Sequence, residues 1–335
     1  MRDPIFRTRI TELFGIRHPI LGGGLMWLSD AAYVAGIVNA GGMAFLTPRS
    51  FPEDGAFAAE LERCRALTGG KPFGVNLNIS KVAASNRSVI EWLDLALRAG
   101  VRHFETAGNA PGDMIARIHA GGGVVIHKCP LLRHALNAER EGADAVAIVG
   151  MEAGGHPGPA ELPTMLAGAL AARRLRVPLA IGGGIGTGGQ ILAALAVGAD
   201  AVVIGSRFLA AQEVWAHPAY KARVVAADER ASVVAFGGNT PMGGAWRVMD
   251  NATAREVRRR EAAGAATHDA FADIIRGTES RDGCYRGGDP ERGMLSLGAA
   301  AVFTEAVEPL EAIIDQLIDE AGAARRRIDG LAVEA

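Results

Sequence analysis

Short apolar runs alternate with longer amphipathic stretches eight times between residues 18 and 205, and this period limits what the chain can fold into. The apolar runs fall at 18–22, 43–47, 72–78, 103–107, 124–128, 145–149, 178–182 and 201–205. Helical patterns at 30–40, 53–68, 86–99, 112–120, 131–141, 164–174 and 188–198 separate them. Runs of Val, Ile and Ala without polar alternation are buried on both faces, as strands of a parallel sheet are. Parallel neighbours need helical crossovers, and these are right-handed. Eight such units predict an α/β chain closed into a (β/α)8 barrel, the TIM barrel.

The period breaks after Phe208. Residues 214–299 mix helical pieces with turns rich in Gly and Arg, such as VRRREAAG and RDGCYRGGDPERG. This stretch is too long for a plain loop. It is expected to form a smaller helical lid inserted before the C-terminal helix. The expected division is a barrel at 1–213, a lid shaping the substrate site at 214–299, and a C-terminal helix in 300–335 packing back on the barrel.

Composition narrows the function. With 35 basic and 37 acidic residues the formal charge is −2, so no global attraction for nucleic acid is expected. No apolar run approaches the roughly 20 residues of a spanning helix, so no membrane partner is expected. Cys64, Cys129 and Cys284 are too few and too odd in number for a disulfide framework, which fits a cytoplasmic protein.

Barrel enzymes carry their chemistry at the C-terminal ends of the strands. Here those ends are Gly22-Gly23-Gly24, Thr47, Asn76-Leu77-Asn78, the segment from Glu105 to Asn109, His127-Lys128-Cys129, Gly150 to Gly158, Gly182-Gly183-Gly184 and Gly205-Ser206-Arg207. Glycine turns after strands seven and eight expose backbone N–H groups, and a helix N-terminus would add partial positive charge. Gly182, Gly183, Gly184, Gly205 and Ser206 therefore suit a phosphate cup. Gly184, Gly186 and Gly189 also match the dinucleotide pattern G-x-G-x-x-G. That pattern wants an acid at the end of the following strand, whereas Asp200 lies before it.

His156 lies in a glycine-rich rim loop, followed by a proline that keeps its backbone extended. A histidine so placed can act as a base near neutral pH; the plainer alternative is a loop histidine bonded to its neighbours. Lys128 ends a strand at the barrel mouth, and its plainer role is partner to Glu105 or Glu152. His127, Cys129 and His134 lack metal-site spacing, and His127 and Cys129 share a strand face opposite Lys128, so no metal is expected. No G-x-S-x-G elbow supports a serine hydrolase.

These residues carry a resemblance. FRTRITELFGIRHPILGGG, PFGVNLN, ETAGNAPG, VIHKCPLLRHALNAEREGADAV, EAGGHPG, RVPLAIGGGIGTGG, GADAVVIGSRFLA and YRGGDPERGMLSLG together resemble the nitronate monooxygenase family, also called 2-nitropropane dioxygenases. The likeness runs over nearly the whole chain. It implies a barrel holding FMN non-covalently, with Gly183, Gly184, Gly205 and Ser206 on the phosphate. It places Gly23, Gly24, Leu25, Asn76, Lys128, Gly154 and Gly155 around the flavin ring. His156 matches the family's catalytic histidine, Lys128 would stabilise negative charge on reduced flavin, and Asn78 and Ser296 fall to the substrate pocket. Relatives carry Gln at Gly22, Met at Leu25, Thr at Asn78, Ser at Gly182 and Trp at Leu295, so the pocket is altered here.

The resemblance implies oxidation of an alkyl nitronate by O2 to a carbonyl compound and nitrite. A sister branch implies a second reading, an NAD(P)H:quinone reductase with the same flavin. A flavin-binding sensor is the non-enzyme alternative. The expected partners are a small molecule, nitronate or quinone, and O2; a homodimer is an open alternative to a monomer.

Overall fold

The computed structural model describes residues 2–332, except residues 54, 81, 82, 159 and 238–243. Helix α1 (Arg9–Phe14) comes first. The repeating units follow as β1 (Ile20–Gly22), α2 (Ala31–Asn39), β2 (Met43–Leu46), α3 (Ala56–Leu67), β3 (Gly74–Ile79), α4 (Arg87–Arg98), β4 (His103–Gly108) and α5 (Gly112–Ala120). They continue with β5 (Val124–Cys129), α6 (Leu132–Arg140), β6 (Ala145–Val149), α7 (Thr164–Ala172), β7 (Leu179–Gly182), α8 (Gly188–Ala196) and β8 (Ala201–Ile204). The eight strands pair in parallel and in order, and β1 pairs with both β2 and β8. The sheet is thus a closed barrel, as the eightfold period predicts.

Period two along each strand divides inside from outside. Leu21, Met43, Phe45, Ile126, Ala145, Ala147, Ala180, Ala201 and Val203 fill the lower interior as one apolar cluster. Helix α1 adds Ile10 and Phe14 to that cluster, with Phe14 edge-on to Phe45, and so plugs the floor. Thr8 and Thr11 cap α1 reciprocally. Arg9 pairs with Asp200 at 2.6 Å, and the same carboxylate accepts the Leu179 N–H. Asp200 therefore ties the floor together, far from any ligand at the opposite rim, which agrees with setting aside the dinucleotide reading.

After β8 the chain leaves the barrel. It forms α9 (Pro218–Val225), β9 (Ser232–Ala235), β10 (Trp246–Met249) and α10 (Ala252–Ala262), then irregular and short helical turns. The strands β9 and β10 make an antiparallel pair. The sequence reading anticipated only helices here, because SVVA and WRVM are each four residues long and sit among glycine turns. The turn FGGNTPMGG joining them lies largely outside the described residues. A separate small core, with Ala235, Phe236, Val248, Val257 and Phe271, holds this unit together. Helix α11 (Leu310–Asp329) then returns to pack on α8 and α2, filling the place of the barrel's eighth helix.

Two buried histidines leave a pH signature. Burial pushes His18 and His127 down to about 4. The unfolded chain therefore binds more protons between pH 6.5 and 4, so stability falls as pH drops through that window. Each residue contributes at most about 3 kcal/mol to the loss. Urea midpoints measured from pH 7.5 to 4.5 should fall accordingly, and His127→Gln should flatten the curve; an unchanged slope in that variant would contradict the assignment.

Candidate functional site at the barrel mouth

Above the apolar floor the inward positions turn polar. On β3, β4 and β5 they are Asn76, Glu105 and Lys128. Glu105 is buried and accepts a hydrogen bond from Lys128 Nζ at 2.6 Å and another from the Asn76 amide. Lys128 is thus both a residue of the barrel mouth and the partner of Glu105. A side chain on Gly24 would strike the Asn76 amide carbon at 2.9 Å, so β1 and β3 meet here through a missing Cβ. His127 and Cys129 point the other way, into the layer between strands and helices. His127 Nδ1 lies 3.0 Å from the Thr106 hydroxyl, and burial pushes the Cys129 thiol up to about 12. Cys129 is therefore a buried neutral thiol, unsuited to act as a nucleophile at neutral pH.

The β6 loop carries His156 to the opposite side of the mouth. Gly155, with φ +86°, exchanges two backbone hydrogen bonds with Arg247 of β10, at 2.9 and 2.7 Å. The Arg247 guanidinium also donates to the Met151 carbonyl at 2.8 Å. At Gly154 a Cβ would meet the backbone of Leu297 and Gly298. The inserted unit thus grips the loop by main-chain contacts that a side chain on Gly154 would obstruct, and Gly155 needs its left-handed backbone to make them. The His156 ring stacks on Trp246 with centroids 5.0 Å apart, and Trp246 Nε1 donates to Ser296 Oγ at 3.0 Å. The residue is exposed to the mouth, yet surrounding protein desolvates the ring and lowers its pKa below the ordinary histidine value. His156 is therefore neutral at pH 7 and able to accept a proton.

The turns after β7 and β8 form the third group. Gly183 and Gly184 have φ of +105° and +70°, a backbone that L side chains rarely adopt. Among the described residues, none accepts from the backbone N–H of Gly183, Gly184, Gly205 or Ser206. Ser206 Oγ accepts from Gly298 N at 2.7 Å, which leaves its own proton free to donate. Four backbone donors and a hydroxyl at adjacent strand ends suit a phosphate. A short helical turn, Ser206–Phe208, starts at the turn after β8, whereas the N-terminus of α8 is satisfied within the protein. Thr187 and Gln190 cap α8 internally, and Glu320 accepts the Gly188 N–H. Gly182 lies within β7 and packs on Val203, its carbonyl accepting from Gly150 N and the Thr164 hydroxyl.

These groups share one rim. Gly23 N donates to the Ile204 carbonyl, and Leu25 lies against Gly205, which joins the first strand end to the turn after β8. Gly298 sits between Gly154 and Ser206, which joins those turns to the His156 loop. Asn78 lines a small cavity beside Gly24 and Asn76. Two contributors, Trp246 and Arg247, have no counterpart in the sequence analysis, and Glu152, offered there as a partner of Lys128, instead caps α7 at Thr164. Only Trp246 had a signal, as a lone aromatic among polar turns.

The mouth thus brings together a polar cluster on β3–β5, two turns with free backbone N–H groups and a histidine stacked on Trp246. The family model for nitronate monooxygenase matches residues 7–320. The chain belongs to the nitronate monooxygenase family. It is 35% identical over 68% of its length to (3aS,4S,5R,7aS)-5-hydroxy-7a-methyl-1-oxo-octahydro-1H-indene-4-carboxyl-CoA dehydrogenase of Mycobacterium tuberculosis, and that match spans only 62% of the relative. A nitronate monooxygenase of Pseudomonas aeruginosa is 30% identical over 64% of this chain and 72% of that one. Among solved structures, FabK from Thermotoga maritima superposes with a TM-score of 0.86 at 29% identity, covering 98% of this chain and all of that one.

The buried ion pair makes a direct prediction. Glu105→Ala strands the Lys128 ammonium and Asn76 amide, and should cost about 3 kcal/mol of stability. Glu105→Gln, which keeps an acceptor, should cost less. Chemical denaturation of both variants checks the order, and equal losses would count against the pair.

Proposed function

We propose that this protein is an FMN-dependent enzyme that oxidises alkyl nitronates with O2 to carbonyl compounds and nitrite. The observation that carries this is His156, stacked on Trp246 in a loop that Gly298 joins to the free donors of the β7 and β8 turns. Those donors supply what a flavin phosphate needs. Asn76, Lys128, Gly24 and Leu25 line the way from the turns into the barrel and would border the ring. FMN, when bound there, supplies the electron transfer to O2.

The chain's own residues do the rest. Gly183, Gly184, Gly205 and Ser206 hold the phosphate. Lys128 places positive charge by the ring, moderated by Glu105. His156 Nδ1 or Nε2 orients the substrate or takes its proton, and Trp246 fixes the plane of the imidazole. The unit at 214–299 shelters this side from water and shapes the substrate space, with Ser296 at its edge.

A second reading is oxidoreduction of an acyl thioester, favoured by the likeness to the mycobacterial CoA dehydrogenase. Mixing the enzyme anaerobically with a nitronate, with NADH, or with an acyl-CoA and watching the flavin band separates these readings; bleaching by NADH alone would instead select the quinone reductase.

His156→Ala should retain FMN and lose about a hundredfold or more in turnover. In wild type the acid limb of the rate profile should fall below the ordinary histidine pKa, since desolvation lowers that of His156. Gly183→Ala should weaken FMN retention, because its Cβ would meet the Thr164 hydroxyl at 2.6 Å and the left-handed backbone resists a side chain. Loss of flavin from His156→Ala, with normal turnover per remaining flavin, would defeat its catalytic role.

A further inference from the structure

A cavity of about 100 Å3 opens between the ends of β1, β2 and β3. Its walls are Gly24, Met26, Thr47, Arg49, Asn76, Asn78 and Trp92. Thr47, Arg49, Met26 and Trp92 have no part in the site so far. Thr47 follows β2 at an inward position, is 7% exposed, and its hydroxyl has no hydrogen-bond partner among the described residues. A buried hydroxyl left unpaired is costly unless something else meets it. Arg49 is exposed, and no carboxylate among the described residues pairs with it. Its guanidinium instead lies 5.7 Å from the centre of the Trp92 ring, which holds the cation over an aromatic face at the cavity wall.

A fixed guanidinium, a hydroxyl and the Asn78 amide around a small cavity are the donor set for a planar oxyanion. The Met26 thioether and the Trp92 indole supply apolar walls for the carbon attached to it. We infer that this cavity is a substrate subsite that binds a carboxylate, with Arg49 as its specificity-determining residue. The inference rests on the flavin reading only in placing the subsite beside the cofactor. The Arg49 charge selects anionic substrates, and the cavity size favours a carboxylate over a bulkier phosphorylated group.

The test is calorimetric titration of the enzyme as isolated with benzoate, benzamide and inorganic phosphate. Benzoate should bind with an affinity that falls with salt. Arg49→Met should weaken benzoate about tenfold or more while leaving benzamide unchanged, and Arg49→Lys should restore part of the loss. The inference is overturned by equal benzoate binding in Arg49→Met, by no benzoate binding in wild type, or by inorganic phosphate displacing benzoate. It is also overturned if added FMN displaces benzoate, which would give the cavity to the cofactor. A protein that binds benzoate through Arg49 but never takes up FMN would keep this subsite and defeat the flavin reading instead.

Discussion

The Lys128 ammonium on the Glu105 carboxylate is the interaction around which the site is organised. It stands where the barrel interior changes from the apolar floor sealed by α1 to the polar mouth. A charged group at that depth is tolerable only when paired and bonded. Glu105 meets both needs by accepting from Lys128 and Asn76 together, so the donors of β3 and β5 are held in place by one acceptor on β4 between them. A third neighbour, Gly24, leaves room for the Asn76 amide by having no side chain. The pair also leaves the mouth closer to electrical neutrality than an isolated lysine would.

The inserted unit is attached to this scaffold by main-chain contacts as well as by side chains. Gly155 and Arg247 pair as a short antiparallel bridge, and Val248 does the same with Ser296. Trp215 Nε1 donates to the Trp27 carbonyl at 2.7 Å, and the Arg281 guanidinium lies over the Trp27 ring. The roof is therefore joined both to the His156 loop and to the loop after β1. Position of the catalytic candidate and shape of the substrate space are set by the same contacts. The same unit also reaches the turn after β8, where Gly298 N donates to Ser206 Oγ.

Much of this was legible in the chain. The ends of β5 and β7, at or next to Lys128 and Gly182, follow from apolar runs that stop at polar or glycine residues. The rejection of metal ligation by His127 and Cys129 followed from strand alternation, and their burial away from the mouth bears out the geometry. The β9–β10 pair was not legible, because two four-residue runs carry little period. Nor were Arg247 and Glu152, whose roles are contacts with backbone atoms distant in sequence. The internal capping of α8 by Thr187 and Gln190 was not read from the sequence either, because it joins side chain to backbone across one turn.

The sequence by itself determined the barrel, its handed order, the rim on which chemistry collects and the residues that point into it. Those follow from local rules: a period of two along strands, helical crossovers between them, and glycine where backbone must turn. Only the tertiary structure decided that Lys128 is paired with Glu105, that Trp246 stacks on His156, and that Thr47 and Arg49 border one cavity. Each of those joins residues brought together by barrel closure or by the insertion, and no local period in a chain encodes which distant side chains will share a space once the sheet has closed.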